Sequence, residues 1–293
     1  MIGTIYALSA ALIWATSSTI LKSLVSKIDA LSLNTLRLSV TSIVLLAIIF
    51  LFGRGTELVN TPLVPLVYLI ISGVIGLGIG DTTFVKSLSY LNVSRVFPIA
   101  LSSNAVFTVL LSVLLLGESF TWVTGLGTFF VLVSVYLLTY TRTTNAKARS
   151  TSGKGVISAL MAGALWSIAV VTFKLGAIEI GALVATAVKL SAATLALLPF
   201  ALSQGEKGTL QIRKYSPRSL AIAVASGPLD YGLGMVLFIT AIQLIGAGKA
   251  VVLSASSPLF LLPFSVFVLK ERLTRFTLMG ILISVTGIYL VAL

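Results

Sequence analysis

Apolar runs of about twenty residues alternate along this chain with short polar breaks. A helix rises about 1.5 Å per residue and a bilayer's hydrocarbon layer is about 30 Å thick, so a run of about 20 apolar residues is long enough to cross it. The runs at 2–24, 30–52, 63–89, 94–116, 120–140, 155–175, 180–202, 218–243, 248–269 and 273–293 predict an all-α membrane protein of ten transmembrane helices. The most polar breaks are TRTTNAKARSTSGK at 141–154 and SQGEKGTLQIRKYSPR at 203–218. The first divides the chain nearly in half and reads as a solvated linker between units at 1–140 and 155–293. The opening MIGTIYALSAALIWATS lacks a basic leader and a small-residue cleavage site, so it reads as an uncleaved first helix.

The two units repeat one another. GTIYALSAALIWATSSTILK aligns with GVISALMAGALWSIAVVTFK, placing Trp14 on Trp166 and Lys22 on Lys174. At the same offset Arg37-Leu38-Ser39 meets Lys189-Leu190-Ser191 in the second span of each unit. SGVIGLGIGDTTF from Ser72 aligns with SGPLDYGLGMVLF from Ser226, matching Gly78 and Gly80 to Gly232 and Gly234. Gly117-Glu118 answers Lys270-Glu271, Gly127 answers Gly280, and Tyr136-Leu137 answers Tyr289-Leu290. Five spans is an odd number, so the second copy enters the membrane in the opposite sense, making two inverted five-helix repeats.

Loop charge supports that orientation. With the N-terminus outside, the cytoplasmic loops hold Lys22, Lys27, Lys86, Arg95, Arg142, Lys147, Arg149, Lys154, Lys207, Arg213, Lys214, Arg218, Lys270, Arg272 and Arg275, against Arg54, Lys174 and Lys249 on the other side. Lys and Arg accumulate in cytoplasmic loops during insertion. Both termini are therefore expected outside, with the linker at 141–154 cytoplasmic, in a plasma (inner) membrane.

Composition narrows the chemistry. Charged residues are 10% of the chain, hydrophobic residues 57% and mean hydropathy is +1.11, beyond what a soluble fold can hide. A net charge of +12 would suggest nucleic-acid binding in a soluble chain, but the basic residues here are dispersed among short loops, and no nucleic-acid partner is expected. Cysteine and histidine are absent, which excludes disulfides, thiol chemistry, zinc chemistry and histidine proton relays. No phosphate-binding loop occurs; Gly246-Ala-Gly248-Lys249 is too short, and neither a zinc-protease motif nor a nucleophile elbow is present. No enzymatic activity, cofactor or metal site is expected.

The ALIW start with a lysine at the helix end, the Gly-Glu after the fourth span and the duplicated five-helix plan resemble the drug/metabolite transporter superfamily, EamA type. The resemblance covers nearly the whole chain, with Lys270-Glu271 standing where the first half has Gly-Glu. It implies a ten-helix basket whose cavity is formed by the third, fourth, eighth and ninth spans with the first and sixth, the fifth and tenth lying outside or at a homodimer contact. It also implies a small-molecule substrate, in a family that moves amino acids, nucleotide sugars, other metabolites or toxic compounds.

Polar groups inside spans mark candidate positions along a pathway, because an uncompensated charge at the bilayer centre costs about 2.5 to 3.5 kcal/mol on insertion scales. Asp230, beside Tyr231 and after Pro228, stands where the first half has Gly76; it is a substrate or coupling contact, or a carboxylate paired to a neighbouring helix. Asp81 is a second cavity carboxylate, or else faces water at the membrane boundary. Arg37 and Lys189 are expected to snorkel toward opposite interfaces, the alternative being that they hold acidic partners or an anionic substrate. Lys22 and Lys174 read as interfacial anchors. Trp14 and Trp166 fall mid-span and need partners for their indole N–H groups, lining the cavity or packing in the core. Ser102, Ser103, Asn104, Ser256 and Ser257 are candidate uncharged cavity contacts or helix–helix hydrogen-bonding groups. Gly78, Gly80, Gly232 and Gly234 read as sites of close helix packing, with gating as the sharper alternative; Pro98 and Pro258 are candidate kinks at a gate.

The function expected is a carrier of small metabolites, an amino-acid or related metabolite exporter, working by alternating access around a midplane site. A channel, a lipid flippase and a membrane assembly factor are the alternatives.

Overall fold

The computed structural model describes residues 2–116, 121–139, 146–176, 179–203, 215–245, 250, 253–254, 257–270 and 274–291. Its helices are α1 (Ile2–Leu24), α2 (Ala30–Leu51), α3 (Leu63–Leu88), α4 (Val93–Leu116), α5 (Trp122–Thr139), α6 (Ala146–Gly176), α7 (Ala182–Leu202), α8 (Pro217–Ile245), α9 (Ser257–Val268) and α10 (Arg275–Val291), with a short helix Gly55–Val59 between α2 and α3. Seven of these, α1 to α4 and α6 to α8, are long and apolar enough to cross a membrane. Shorter apolar stretches lie at Gly125–Ser134, Ser257–Val268 and Arg275–Gly287, within the other three. The chain is thus an all-helical, multi-pass membrane protein.

Local chemistry sets the helix ends. Asp29 caps α2 by accepting from the Ser32 N–H at 3.0 Å, and Ser216 caps α8 by accepting from Ser219 N–H at 3.2 Å, with Pro217 in the first helical position. Residues 146–154, expected to be linker, continue α6 as helix; the segment AKARS is built from good helix formers or neutral residues, and nothing in it breaks the turn. Lys270 adopts φ 55 directly after α9, at the repeat position where the first half carries Gly117.

Large apolar side chains cover the outside as well as filling the core, and many small hydroxylated ones are buried. Phe50, Leu51, Phe52 and Phe267 are more than half exposed, whereas Ser17, Thr35, Thr41, Ser72, Ser87, Ser102 and Ser167 are buried. Hydrocarbon tails match apolar side chains, so helices are held together by close approach and hydrogen bonds rather than by hydrophobic exclusion.

The contacts between helices follow the repeat. α4 packs on α6 and α9 packs on α1; α3 packs on α6 and α7, and α8 on α1 and α2; α2 packs on α7 and α5 on α10. Replacing each helix by its repeat counterpart reproduces the list. The Ser42 and Ser191 hydroxyls meet at 2.7 Å where α2 and α7 cross.

Candidate functional site

Two helices change their winding at matching places. In α3 the segment Gly73–Gly80, and in α8 the segment Pro228–Gly234, are π-helical: the Asp81 N–H donates to the Gly76 carbonyl and the Met235 N–H to the Asp230 carbonyl, each five residues back. Such turns concentrate at functional sites because they leave carbonyls off the regular ladder. In α3 the buried Asn34 amide collects them, donating to Leu77 O at 2.9 Å and Gly78 O at 3.2 Å, and to the Thr82 hydroxyl at 2.8 Å. The Asn34 carbonyl in turn accepts the Tyr231 hydroxyl at 2.7 Å, which ties α2 to both wound segments.

Glycines set the crossings of these segments. A methyl at Gly73 would sit 2.3 Å from the Lys189 carbonyl oxygen, and one at Gly227 would sit 2.7 Å from that of Arg37. Backbone therefore lies on backbone at two repeat-related points, α3 on α7 and α8 on α2. Gly80 meets Trp166 and Gly234 meets Trp14 in the same paired way.

At the α8–α2 crossing Arg37 is fully buried. Its guanidinium forms an ion pair with Asp230, donates to Ser17 Oγ at 3.0 Å and Ser226 Oγ at 3.1 Å, and lies over the Tyr231 ring at 4.5 Å. Ser17 also donates to Asp230 at 2.7 Å. Three helices, α1, α2 and α8, thus converge on one charge pair. The expectation that Arg37 snorkels to an interface is overturned: Asp230 arrives at its turn of α2 and satisfies the charge in place.

At the α3–α7 crossing the matching cation is Lys189, 7% exposed, with its ammonium 5.3 Å from the Phe173 ring centroid. It does not snorkel either, being enclosed by α3, α6 and α7. Among the described residues it makes no ion pair. Gly76 occupies the position matching Asp230, and Ala169 the position matching Ser17.

Between these crossings lies a cavity of about 170 Å³ with a mostly aromatic and aliphatic wall. Trp14, Trp166, Phe84, Phe97, Phe173 and Phe238 line it, and Arg37, Lys189, Asp81 and Asp230 bring its charges. Asp81 accepts the Trp166 indole N–H at 2.6 Å and lies beside the Tyr231 hydroxyl. The Phe84–Trp166 and Phe238–Trp14 ring pairs, 5.2 and 4.9 Å between centroids, are again repeat-related.

Of the residues singled out in sequence, Asp230, Asp81, Trp14, Trp166, Tyr231, Asn104, Arg37 and Lys189 line this one cavity. Ser102 and Ser103 do not: Ser102 meets Ser284 at 2.8 Å and Ser103 donates to Leu160 O at 2.7 Å, so both hydroxyls join helices. Ser257 donates back to the Ser254 carbonyl, and Ser256 lies outside the described residues. Gly78, Gly80, Gly232 and Gly234 sit at packing contacts beside the cavity, Pro98 lies inside α4 and Pro258 in the first turn of α9. Lys22 does more than anchor an interface, donating to the carbonyls of Leu88 and Leu91 at 2.6 and 2.7 Å and so closing the end of α3. Asn34 and Ser17 were not foreseen. Their signal was a polar side chain inside an apolar run, which the many in-span serines and threonines share.

Residues 1–140 and 153–293 each match the EamA-like transporter family. The chain is 27% identical over 294 residues to an uncharacterized transporter of Archaeoglobus fulgidus, covering 100% of this chain and 99% of that one. In fold it is similar to a protein of known crystal structure, with a TM-score of 0.71 at 16% identity over 98% of this chain and 94% of the other.

Proposed function

Since the chain belongs to the EamA-like transporter family, and so is a membrane transporter with a small-molecule substrate, we propose that it is an amino-acid carrier working by alternating access around the central cavity. The two repeats lie inverted in the plasma membrane, with both termini outside and the linker cytoplasmic, and net flux is export. α5 and α10 offer the surface for a homodimer.

One observation carries the substrate class. Asp81 and Lys189 share the cavity, yet they form no ion pair among the described residues. Arg37 and Asp230 already neutralise each other. A carboxylate and an ammonium that line one largely apolar cavity complement a solute carrying both charges, with its ammonium toward Asp81 and its carboxylate toward Lys189. Such a solute enters without leaving net charge in the membrane.

Alternating access draws on the matched π segments. They put the same device on α3 and α8, so each half has an element able to change winding around a shared site. Counterflow in proteoliposomes tests the reading: labelled tracer should accumulate against unlabelled amino acids, saturably, and not against nucleotide or sugar pools. Asp81→Asn should lower that exchange by about ten-fold, roughly 1.4 kcal/mol of binding. Exchange with no pool, together with lipid scrambling by folded protein, would replace the carrier with a flippase.

A further inference from the structure

The two crossings differ by deletion. At α8–α2 the protein supplies a cation, a carboxylate and a bridging hydroxyl: Arg37, Asp230 and Ser17. At α3–α7 the cation is retained as Lys189, while the carboxylate position is Gly76 and the hydroxyl position Ala169. Both places share one backbone contact, Gly73 resting on Lys189 as Gly227 rests on Arg37. The serine that helps hold Arg37, Ser226, has its counterpart in Ser72, which turns instead to the Ala169 carbonyl at 2.7 Å. Gly76, Ala169 and Lys189 all open onto the cavity.

We propose that the carboxylate of the transported solute supplies the counter-charge that Asp230 supplies at the other crossing, seating on Lys189 in a slot on the cavity side of Gly76 and Ala169. The proposal rests on the carrier reading and gives that reading its anion subsite. A cation enclosed to this degree in a membrane protein calls for a counter-charge. The Phe173 ring meets that demand only in part. Asp81 lines the same cavity and offers an acceptor for an ammonium carried beside that carboxylate.

The test uses the intact chain in proteoliposomes. Labelled protein amino acids are tried singly for counterflow, and each one that exchanges is competed by its own carboxamide, which keeps the ammonium and removes the anion. On the unaltered protein the carboxamide should compete about ten-fold more weakly than the acid or worse. Lys189→Met should narrow that gap to about two-fold, and Lys189→Arg should keep it. A second pair rebuilds the deleted group. Ala169→Gly makes room for a Cβ at position 76, which would otherwise meet the Ala169 methyl at 2.7 Å. In that background Gly76→Asp should exchange about ten-fold less than the isosteric Gly76→Asn, because the new carboxylate occupies Lys189. Equal competition by acid and carboxamide on the unaltered protein overturns the slot while leaving the carrier reading intact. Exchange by Gly76→Asp equal to that of Gly76→Asn does the same. Absence of exchange with every amino acid removes the carrier reading, and the slot with it.

Discussion

The α8–α2 and α3–α7 crossings have a common backbone and unlike chemistry. In both, a glycine lets one helix rest on the carbonyl of a basic residue, and a π segment follows. One crossing closes its charge within the protein, through Asp230, Ser17 and Ser226 on Arg37. The other leaves Lys189 facing the cavity. Packing and polarity are thus separable in a duplicated fold: glycine fixes how close the helices come, and a few neighbouring side chains decide whether the charge between them is structural or available to a ligand.

The largest effect that would break this comparison comes from Asp230→Ala. It strands a buried guanidinium and should destabilise the protein by about 3 to 5 kcal/mol, read as a lower unfolding temperature in detergent. Lys189→Met, which removes a cation that has no ion pair among the described residues, should leave that temperature unchanged or raise it. If the two variants melt alike, the crossings are not energetically different. A smaller effect separates Asn34 from its repeat counterpart Thr186. Asn34→Ala takes its amide from the Leu77 and Gly78 carbonyls of the wound segment and its carbonyl from the Tyr231 hydroxyl, and should cost about 1 to 3 kcal/mol. Thr186 only bonds back to Ala182 in its own helix, so Thr186→Ala should fall within about 0.5 kcal/mol.

The smallest effect belongs to a pair outside the cavity. Arg54 donates to Glu57 at 2.6 and 2.7 Å, and this holds the Glu57 carboxyl below its ordinary value. Any stabilisation from the pair is present above the usual carboxylate range and is lost as pH falls through the lowered value. Both side chains are largely exposed, so Arg54→Ala should leave the unfolding temperature unchanged at neutral pH. A clear drop would mean that exposure is a poor guide to which pairs matter here.

Much of the architecture was legible in sequence because it is written in one dimension. Span positions follow from runs of apolar residues, and the repeat from ordered matches such as Trp14 to Trp166 and Gly80 to Gly234. The correspondence of Asp230 with Gly76 was readable too. Its meaning was not, because Arg37 and Asp230 lie on different helices and only the crossing shows that they meet. The same limit explains the failed snorkelling expectation for Arg37 and Lys189. It also explains Ser102 and Ser103, since a hydroxyl that joins two helices has the same sequence signature as one that lines a cavity. The π segments were hidden for a different reason: glycine spacing permits several windings, and the choice depends on outside donors such as Asn34.

The buried pair of Arg37 and Asp230 also has a history within each molecule's synthesis. The two residues are 193 positions apart, so at about 5 to 20 residues per second the ribosome makes Asp230 roughly ten to forty seconds after Arg37. During that interval α2 has its guanidinium and not the carboxylate that answers it. The ion pair that joins α2 to α8 cannot form until α8 has been made, so this contact belongs to the assembly of the two halves and not to the folding of the first alone.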